Sequence, residues 1–143
     1  MDAFDADVLI YAAAPGHPLG RRVRALFPAG PVERSGPVAG VGSVLLVPEL
    51  LAQPMHDRST DELVALGAIL SRLELLPTDQ STAELAAALG ASYGMRAADA
   101  VHLATAVTAA ADRFITNNRA DFPQSISEIA ITYPDELPDP SRH

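Results

Sequence analysis

The 143-residue chain contains no cysteine and no lysine, and each absence excludes a group of functions. Without cysteine there is no disulfide scaffold, iron–sulfur cluster, Cys-ligated zinc site or thiol nucleophile, and a reducing compartment is expected. Without lysine, P-loop nucleotide binding, Schiff-base chemistry and Ser-Lys hydrolysis are excluded. All ten basic residues are therefore arginines.

Long apolar runs and a basic excess are missing as well. The apolar stretch of residues 8–14 is too short to span a bilayer. Asp2, Asp5 and Asp7 stand where a secretory signal would carry basic residues, so we expect a cytoplasmic protein without a membrane anchor. Acidic residues outnumber basic ones 18 to 10, for a net charge of −8, which argues against generic binding of nucleic acid. A polyanionic substrate would need a local arginine patch or a bound cation.

The composition, 48% apolar and 20% charged, is typical of a globular domain. We predict a single domain over residues 1–133 and a loose tail over the Pro- and Asp-rich residues 134–143. Apolar segments that look like strands alternate with segments of helical periodicity, which predicts an α/β fold with a mostly parallel sheet covered on both faces. One predicted strand ends near Asp5 and is followed by a helical turn. Further strands are predicted within 38–47, 73–77, 113–116 and 129–133. Predicted helices cover 18–27, 45–53, 59–73, 81–92 and 97–111, the third opening with a capping box at Ser59.

Acidic or amide residues occur where several of these apolar elements begin or end: Asp5, Glu49, Asp99 and the 118–121 segment. The carboxyl ends of parallel strands meet at one edge of a sheet, so we expect these side chains to lie close together. Carboxylates in apolar surroundings are costly unless they are paired or coordinate a metal. Since lysine is absent, a divalent cation is the simplest partner. Oxygen ligands favour Mg²⁺ or Mn²⁺, which indicates phosphodiester chemistry.

Each of the three single acids also has a purely structural interpretation. Asp5 could form a turn or cap the next helix, although its apolar surroundings favour a functional role. Asp99 lies in the first turn of its helix, where the helix dipole stabilises any carboxylate. Glu49 could be a solvated helix residue.

Further polar residues near these acids leave alternatives open. Asp7 could be a second ligand, but a helix cap is favoured. His102, one helical turn after Asp99, could bind metal or carry a proton, but packing beside the site is favoured. Three arginines on one predicted helix could hold phosphates or a partner's acidic groups, although a solvated helix face is the default: Arg21, Arg22 and Arg24.

Several segments, in this order, resemble the PIN-domain nucleases, and most closely the VapC-like toxins of bacterial toxin–antitoxin pairs. They are residues 4–10 (FDADVLI), Ser43 with Glu49, residues 98–106 (ADAVHLATA), residues 114–118 (FITNN), and Asp121 with Phe122. The resemblance runs from residue 4 to residue 122, and its third and fourth segments are the most specific.

The resemblance implies a three-layer α/β/α sandwich whose clustered acids hold Mg²⁺ or Mn²⁺. Asp5, Glu49 and Asp99 match the family's first three acids, with Asp5 and Asp99 as principal metal ligands and Glu49 as a ligand or as the base for water. Site-lining positions match Thr116, the hydroxyl residue of the site, and Ser43, the small polar residue before the second acid.

Two positions depart from the family pattern. Asp7 stands where relatives usually carry Asn or Ser, which adds charge at the mouth of the site. Asn118 occupies the position of a fourth acid, so either Asp121 takes over as outer support or the site has three strong ligands.

The leading hypothesis is a Mg²⁺-dependent endoribonuclease of toxin type. For such a protein the resemblance implies an RNA substrate, a cognate antitoxin and a homodimer. One alternative is a catalytically degenerate PIN-type interaction module. Another is a haloacid-dehalogenase-like phosphatase using Asp5 and Asp7, which is disfavoured because that family generally needs a later lysine.

Overall fold

A computed structural model describes residues 1–28 and 36–141 of the chain, built around one five-stranded sheet. The strands are β1 (Asp2–Phe4), β2 (Gly40–Ser43), β3 (Leu73–Leu76), β4 (Arg113–Ile115) and β5 (Ala130–Thr132). The helices are α1 (Ala6–Ala13), α2 (Pro18–Arg24), α3 (Leu46–His56), α4 (Thr60–Leu70), α5 (Gln80–Tyr93) and α6 (Ala97–Thr108). Every neighbouring pair of strands is parallel, so the predicted α/β class is confirmed.

Two apolar cores lie on opposite faces of the sheet. Successive residues of a strand point to opposite faces, so Ala3 and Phe114 join the core beneath α5 and α6. Phe4 and Ile115 join the core beneath the other four helices. The predicted three-layer sandwich is therefore confirmed.

Helix boundaries follow local signals in some places and packing in others. The side chain of Asp79 accepts a hydrogen bond from the Thr82 amide at the start of α5, and the helix ends at Gly94, whose φ of 67° suits glycine. The predicted capping box at Ser59 is wrong, because that side chain makes no capping hydrogen bond. Helix α4 begins there nonetheless, since its apolar face packs into the core.

The chain after β5 differs from the predicted loose tail. Pro134–Glu136 forms a 3₁₀ helix, and Leu137 is buried. Arg22 Nη1 donates to the carbonyls of Asp135, at 3.0 Å, and Leu137, at 2.8 Å. One apolar anchor and one arginine thus order a segment whose composition alone indicates disorder. Residues 142 and 143 lie outside the described residues.

The strand order β3-β2-β1-β4-β5 places a topological switch at the centre of the sheet. The chain moves outward on one side of β1 through β2 and β3, then crosses to the other side for β4 and β5. Ligands in such sheets bind at the carboxyl ends of the strands beside this switch. Throughout the described part of the chain, no helix combines the length and apolar character needed to cross a membrane.

Candidate active site

Asp5 follows β1 directly and caps the start of α1. One carboxylate oxygen accepts from the Ala6 amide, at 2.8 Å, and the other from Thr116 Oγ1, also at 2.8 Å. The Asp5 amide donates to the Ile115 carbonyl at 2.9 Å, which continues the pairing of β1 with β4. Asp5 is only 6% exposed. It is therefore both a helix cap and a rigidly oriented carboxylate at the switch point of the sheet.

The acids predicted to converge do influence one another electrostatically. Burial raises the pKa of Asp5, the hydrogen bond from Thr116 opposes this, and the nearby Glu49 carboxylate raises it further. Burial also raises the pKa of Asp99, and repulsion from Asp5 and Asp121 adds to the increase. The carboxyl edge of the sheet therefore carries one cluster of mutually repelling carboxylates.

Asp99 lies in the first turn of α6, where one of its oxygens, Oδ2, is buried without a hydrogen-bond partner. Its nearest cationic group, Arg96 Nε, is 3.8 Å away, which is beyond hydrogen-bond distance. A buried carboxylate oxygen normally has a partner, so this one is free to accept a cation.

The donor set fits Mg²⁺ or Mn²⁺ better than a metal that needs a complete protein cage. Within residues 1–28 and 36–141, no three His, Asp or Glu side chains are grouped so that they could enclose a metal ion. Mg²⁺, however, usually keeps several waters and is bound through one or two carboxylates. Asp5 and Asp99, with the unpartnered oxygen of Asp99, meet that requirement.

Glu49 and His102 form a pair beside these two carboxylates. His102 Nε2 lies 2.5 Å from Glu49 Oε1, and since a carboxylate only accepts, the imidazole donates. His102 is 2% exposed, and its Nδ1 is buried without a hydrogen-bond partner. His102 therefore packs beside the site, as the favoured interpretation has it, and it also orients Glu49 by a direct hydrogen bond.

Asp7 ties the first turn of α1 to the chain after β4. Its carboxylate accepts from the Val8 amide at 2.7 Å and from the Asn117 amide at 3.0 Å. The favoured interpretation of Asp7 as the helix cap is wrong, because Asp5 has that role. Burial, followed by repulsion from Asp5, raises the pKa of Asp7 to about 6.

The segment after β4 links the remaining predicted site residues. Thr116 is fully buried and accepts from the Asn118 amide at 3.1 Å while donating to Asp5. Asn118 Nδ2 donates to Asp121 Oδ2 at 2.8 Å. Asp121 rather than Asn118 thus carries the negative charge that reaches Asp99.

Ser43 and the three arginines on α2 have contacts of their own. Ser43 is buried at the end of β2, and its hydroxyl accepts from the Leu45 amide at 3.1 Å, which shapes the turn before α3. Arg24 Nη1 donates to the Ala12 carbonyl at 2.7 Å, and Arg22 holds the chain after β5. Two of the three arginines predicted to contact RNA therefore have intramolecular partners, and RNA contact by Arg21, Arg22 and Arg24 stays a prediction.

Sequence reasoning missed Arg96, the residue that precedes α6. Its guanidinium lies 3.8 Å from Asp99 and 3.7 Å from Asp121. The signal was available, because an arginine three residues before an acid can reach it across the first helical turn.

Comparisons with known proteins agree with this architecture. The family model described as the PIN domain matches residues 3–124. A toxin–antitoxin complex from Klebsiella pneumoniae contains a similar chain, with a TM-score of 0.71 and 22% identity over 94% of this chain and 98% of that one. The crystal structure of VapBC2 from Rickettsia felis, bound to a DNA fragment from their promoter, contains another, with a TM-score of 0.68 and 14% identity over 92% of this chain and 97% of that one. No curated protein sequence is significantly similar to this chain.

The family match covers most of the chain and includes all of the acids at the carboxyl edge of the sheet. PIN domains are generally nucleases and generally use divalent metal ions. The resemblance seen in the sequence is confirmed, and the chain belongs to the PIN domain family.

Proposed function

We propose that this protein is a ribonuclease that hydrolyses phosphodiester bonds in RNA with Mg²⁺ or Mn²⁺ held by Asp5 and Asp99. The observation that carries the proposal is the buried Asp5 carboxylate beside the half-buried Asp99, where burial raises both pKa values and the charge of Asp5 raises that of Asp99 further. A buried Asp99 oxygen without a hydrogen-bond partner adds to this support. Such a cluster is tolerated when a cation compensates its charge.

The side chains divide the work of hydrolysis. A divalent cation, when bound, lowers the pKa of its water and offsets charge on the phosphate. Glu49, oriented by His102, takes a proton from the attacking water. Thr116 keeps the Asp5 carboxylate oriented, and Asp121 adds negative charge beside Asp99 as outer support.

A cleavage assay with matched substrates tests this proposal. We expect metal-free protein to cut a labelled RNA only after Mg²⁺ or Mn²⁺ is added, and to leave DNA of the same sequence intact. Asp99→Asn should slow cleavage on the order of a thousandfold, equivalent to about 4 kcal/mol of transition-state stabilisation. Asp61→Asn, which removes the same charge from an exposed position of α4, should cut at the parent rate.

The outcomes separate the alternatives. Parent protein that neither cuts RNA nor binds Mn²⁺ in a calorimetric titration would indicate a degenerate interaction module. Cleavage of DNA alone would contradict the substrate class, and an undiminished rate in Asp99→Asn would contradict the site. The phosphatase alternative is dropped, because the chain belongs to a different family and contains no lysine.

The protein acts as the toxin of a toxin–antitoxin pair, in the cytoplasm and as a homodimer. Support for an antitoxin partner comes from the two similar solved structures, a toxin–antitoxin complex and a VapBC2 complex bound to DNA. An exposed apolar groove of about 340 Å³ between α1 and α4 offers a surface for it, with acidic residues at one side. The groove is lined by residues that include Ile10, Ala13, Ala65, Leu66, Asp61 and Glu62. A partner segment that combines apolar and basic residues would match it.

Growth of cells tests the toxin role directly. Expression of this chain alone should arrest growth, and expression of Asp99→Asn should not. Co-expression of the neighbouring open reading frame should restore growth. Growth arrest by both the parent and Asp99→Asn would show that toxicity does not depend on the nuclease site. Sedimentation of the purified chain tests the homodimer separately.

A further inference from the structure

Arg96 lies across the mouth of the acidic cluster. It directly precedes α6, and its side chain is 84% exposed. Arg96 Nε is 3.8 Å from Asp99 Oδ2, and Arg96 Nη2 is 3.7 Å from Asp121 Oδ2. One guanidinium group therefore contacts two of the clustered acids.

The position is unfavourable for an arginine in other respects. A cation at the start of a helix is opposed by the helix dipole, and the Arg96 side chain makes no capping hydrogen bond. Both distances to the acids exceed those of a hydrogen bond, so the attraction is electrostatic and loose. The attraction to Asp99 and Asp121 is what favours this conformation.

We propose that Arg96 is a mobile counter-ion of the metal-free site, which withdraws when a divalent cation binds and then contacts a phosphate of the RNA. This inference rests on the proposed function and identifies one further residue for it. The two cations cannot share the mouth at low cost, because each repels the other at short range. An exposed arginine loses little on turning outward, where a guanidinium pairs well with phosphate oxygens.

Metal affinity in the absence of RNA provides the first test. Arg96→Gln removes the competing charge and keeps most of the side-chain length, so Mn²⁺ should bind about three- to tenfold more tightly in a calorimetric titration. Arg96→Lys keeps the charge and should bind close to the parent affinity. Arg58 is exposed and follows the C-terminal end of α3. Arg58→Gln therefore controls for the change in net charge and should leave the Mn²⁺ affinity unchanged.

Thermal unfolding with and without metal distinguishes competition from a simple structural role. In EDTA, Arg96→Gln should melt below the parent, because repulsion between Asp99 and Asp121 is no longer offset. In saturating Mn²⁺ the order should reverse. A variant that only damaged the start of α6 would melt lower in both conditions.

The RNA contact predicts a change in KM rather than in kcat. At saturating Mn²⁺, Arg96→Gln should raise KM about three- to tenfold, with kcat within about twofold of the parent. Arg96→Lys should restore part of the loss. An unchanged KM would overturn the contact with RNA.

Failure of this inference differs from failure of the proposed function. If parent and Arg96→Gln bind Mn²⁺ equally well, the competition is overturned while the metal site stands. If neither binds Mn²⁺, the proposed metal site fails and the inference fails with it.

Discussion

Strand β1 begins with one acid and is followed directly by another. The first is ion-paired, whereas the second is buried without a cationic partner in the described part of the chain. The carboxylate of Asp2, at the start of β1, accepts hydrogen bonds from Arg113 Nε at 2.8 Å and Arg113 Nη2 at 3.3 Å. The two residues form a bidentate ion pair between neighbouring strands. Asp5, directly after the strand, is more deeply buried. Among the described residues, however, no arginine or histidine lies within ion-pair distance of Asp5.

The same contrast extends to the neighbouring acids. At the amino edge of the sheet, the N-terminal ammonium pairs with Asp112 and lowers the pKa of that carboxyl. At the carboxyl edge, burial and repulsion raise the pKa values of Asp5, Asp7 and Asp99. Opposite charges thus stabilise the acids at the amino edge, whereas the acids at the carboxyl edge, where the metal site is proposed, are poorly compensated.

The largest expected effect comes from exchanging each acid of β1 for its amide. Asp5→Asn should slow RNA cleavage on the order of a thousandfold with little loss of stability, because asparagine still caps α1. Asp2→Asn should leave cleavage unchanged and lower the free energy of unfolding by about 1–2 kcal/mol, because the pair with Arg113 is lost. Cleavage rates and urea unfolding measure the two effects. Equal loss of activity in both variants would break the contrast.

The next effect is a pH dependence of stability at the carboxyl edge. The pKa of Asp7 is raised from 3.8 to about 6, so the folded state holds its proton more tightly than the unfolded state. Stability should therefore fall as pH rises from about 4 to about 6, by about 1–3 kcal/mol from this group. Asp7→Asn should lose this part of the slope and be more stable than the parent at pH 7.

Urea unfolding in EDTA at several pH values between 4 and 7 measures this slope. Asp61→Asn, at an exposed position of α4, is the matched control and should keep the slope of the parent. Parallel curves for the parent and Asp7→Asn would show that the raised pKa of Asp7 does not affect stability.

The smallest expected change in stability concerns two arginines of α2. They extend the comparison from acidic to basic side chains. Arg22→Gln should lower the free energy of unfolding by about 1 kcal/mol, because two hydrogen bonds to the chain after β5 are lost. Arg21→Gln should change it by no more than about 0.5 kcal/mol. RNA binding by both variants should also be measured by electrophoretic mobility shift. Weaker RNA binding without a loss of stability would favour RNA contact by this helix.

Much of the candidate site was predictable because of its position in the chain. Asp5 and Thr116 follow strands, and the carboxyl ends of parallel strands meet at one edge whatever the side chains between them do. The bond between Glu49 and His102 was not predictable, since it depends on how α3 and α6 pack across the sheet. The contact of Arg96 with Asp99 could be predicted from helical spacing, but its contact with Asp121 could not.

The sequence by itself determined the order of strands and helices, the alternation of apolar faces and the class of ligand that clustered acids without lysine can accept. These follow from local periodicity and from the chemistry of single side chains. Only the tertiary structure decided which charges are paired, that residues 134–137 pack against the domain, and that one oxygen of Asp99 is buried without a hydrogen-bond partner. Such outcomes depend on distances between segments far apart in the chain, and electrostatic and hydrogen-bond energies change steeply over a few ångströms.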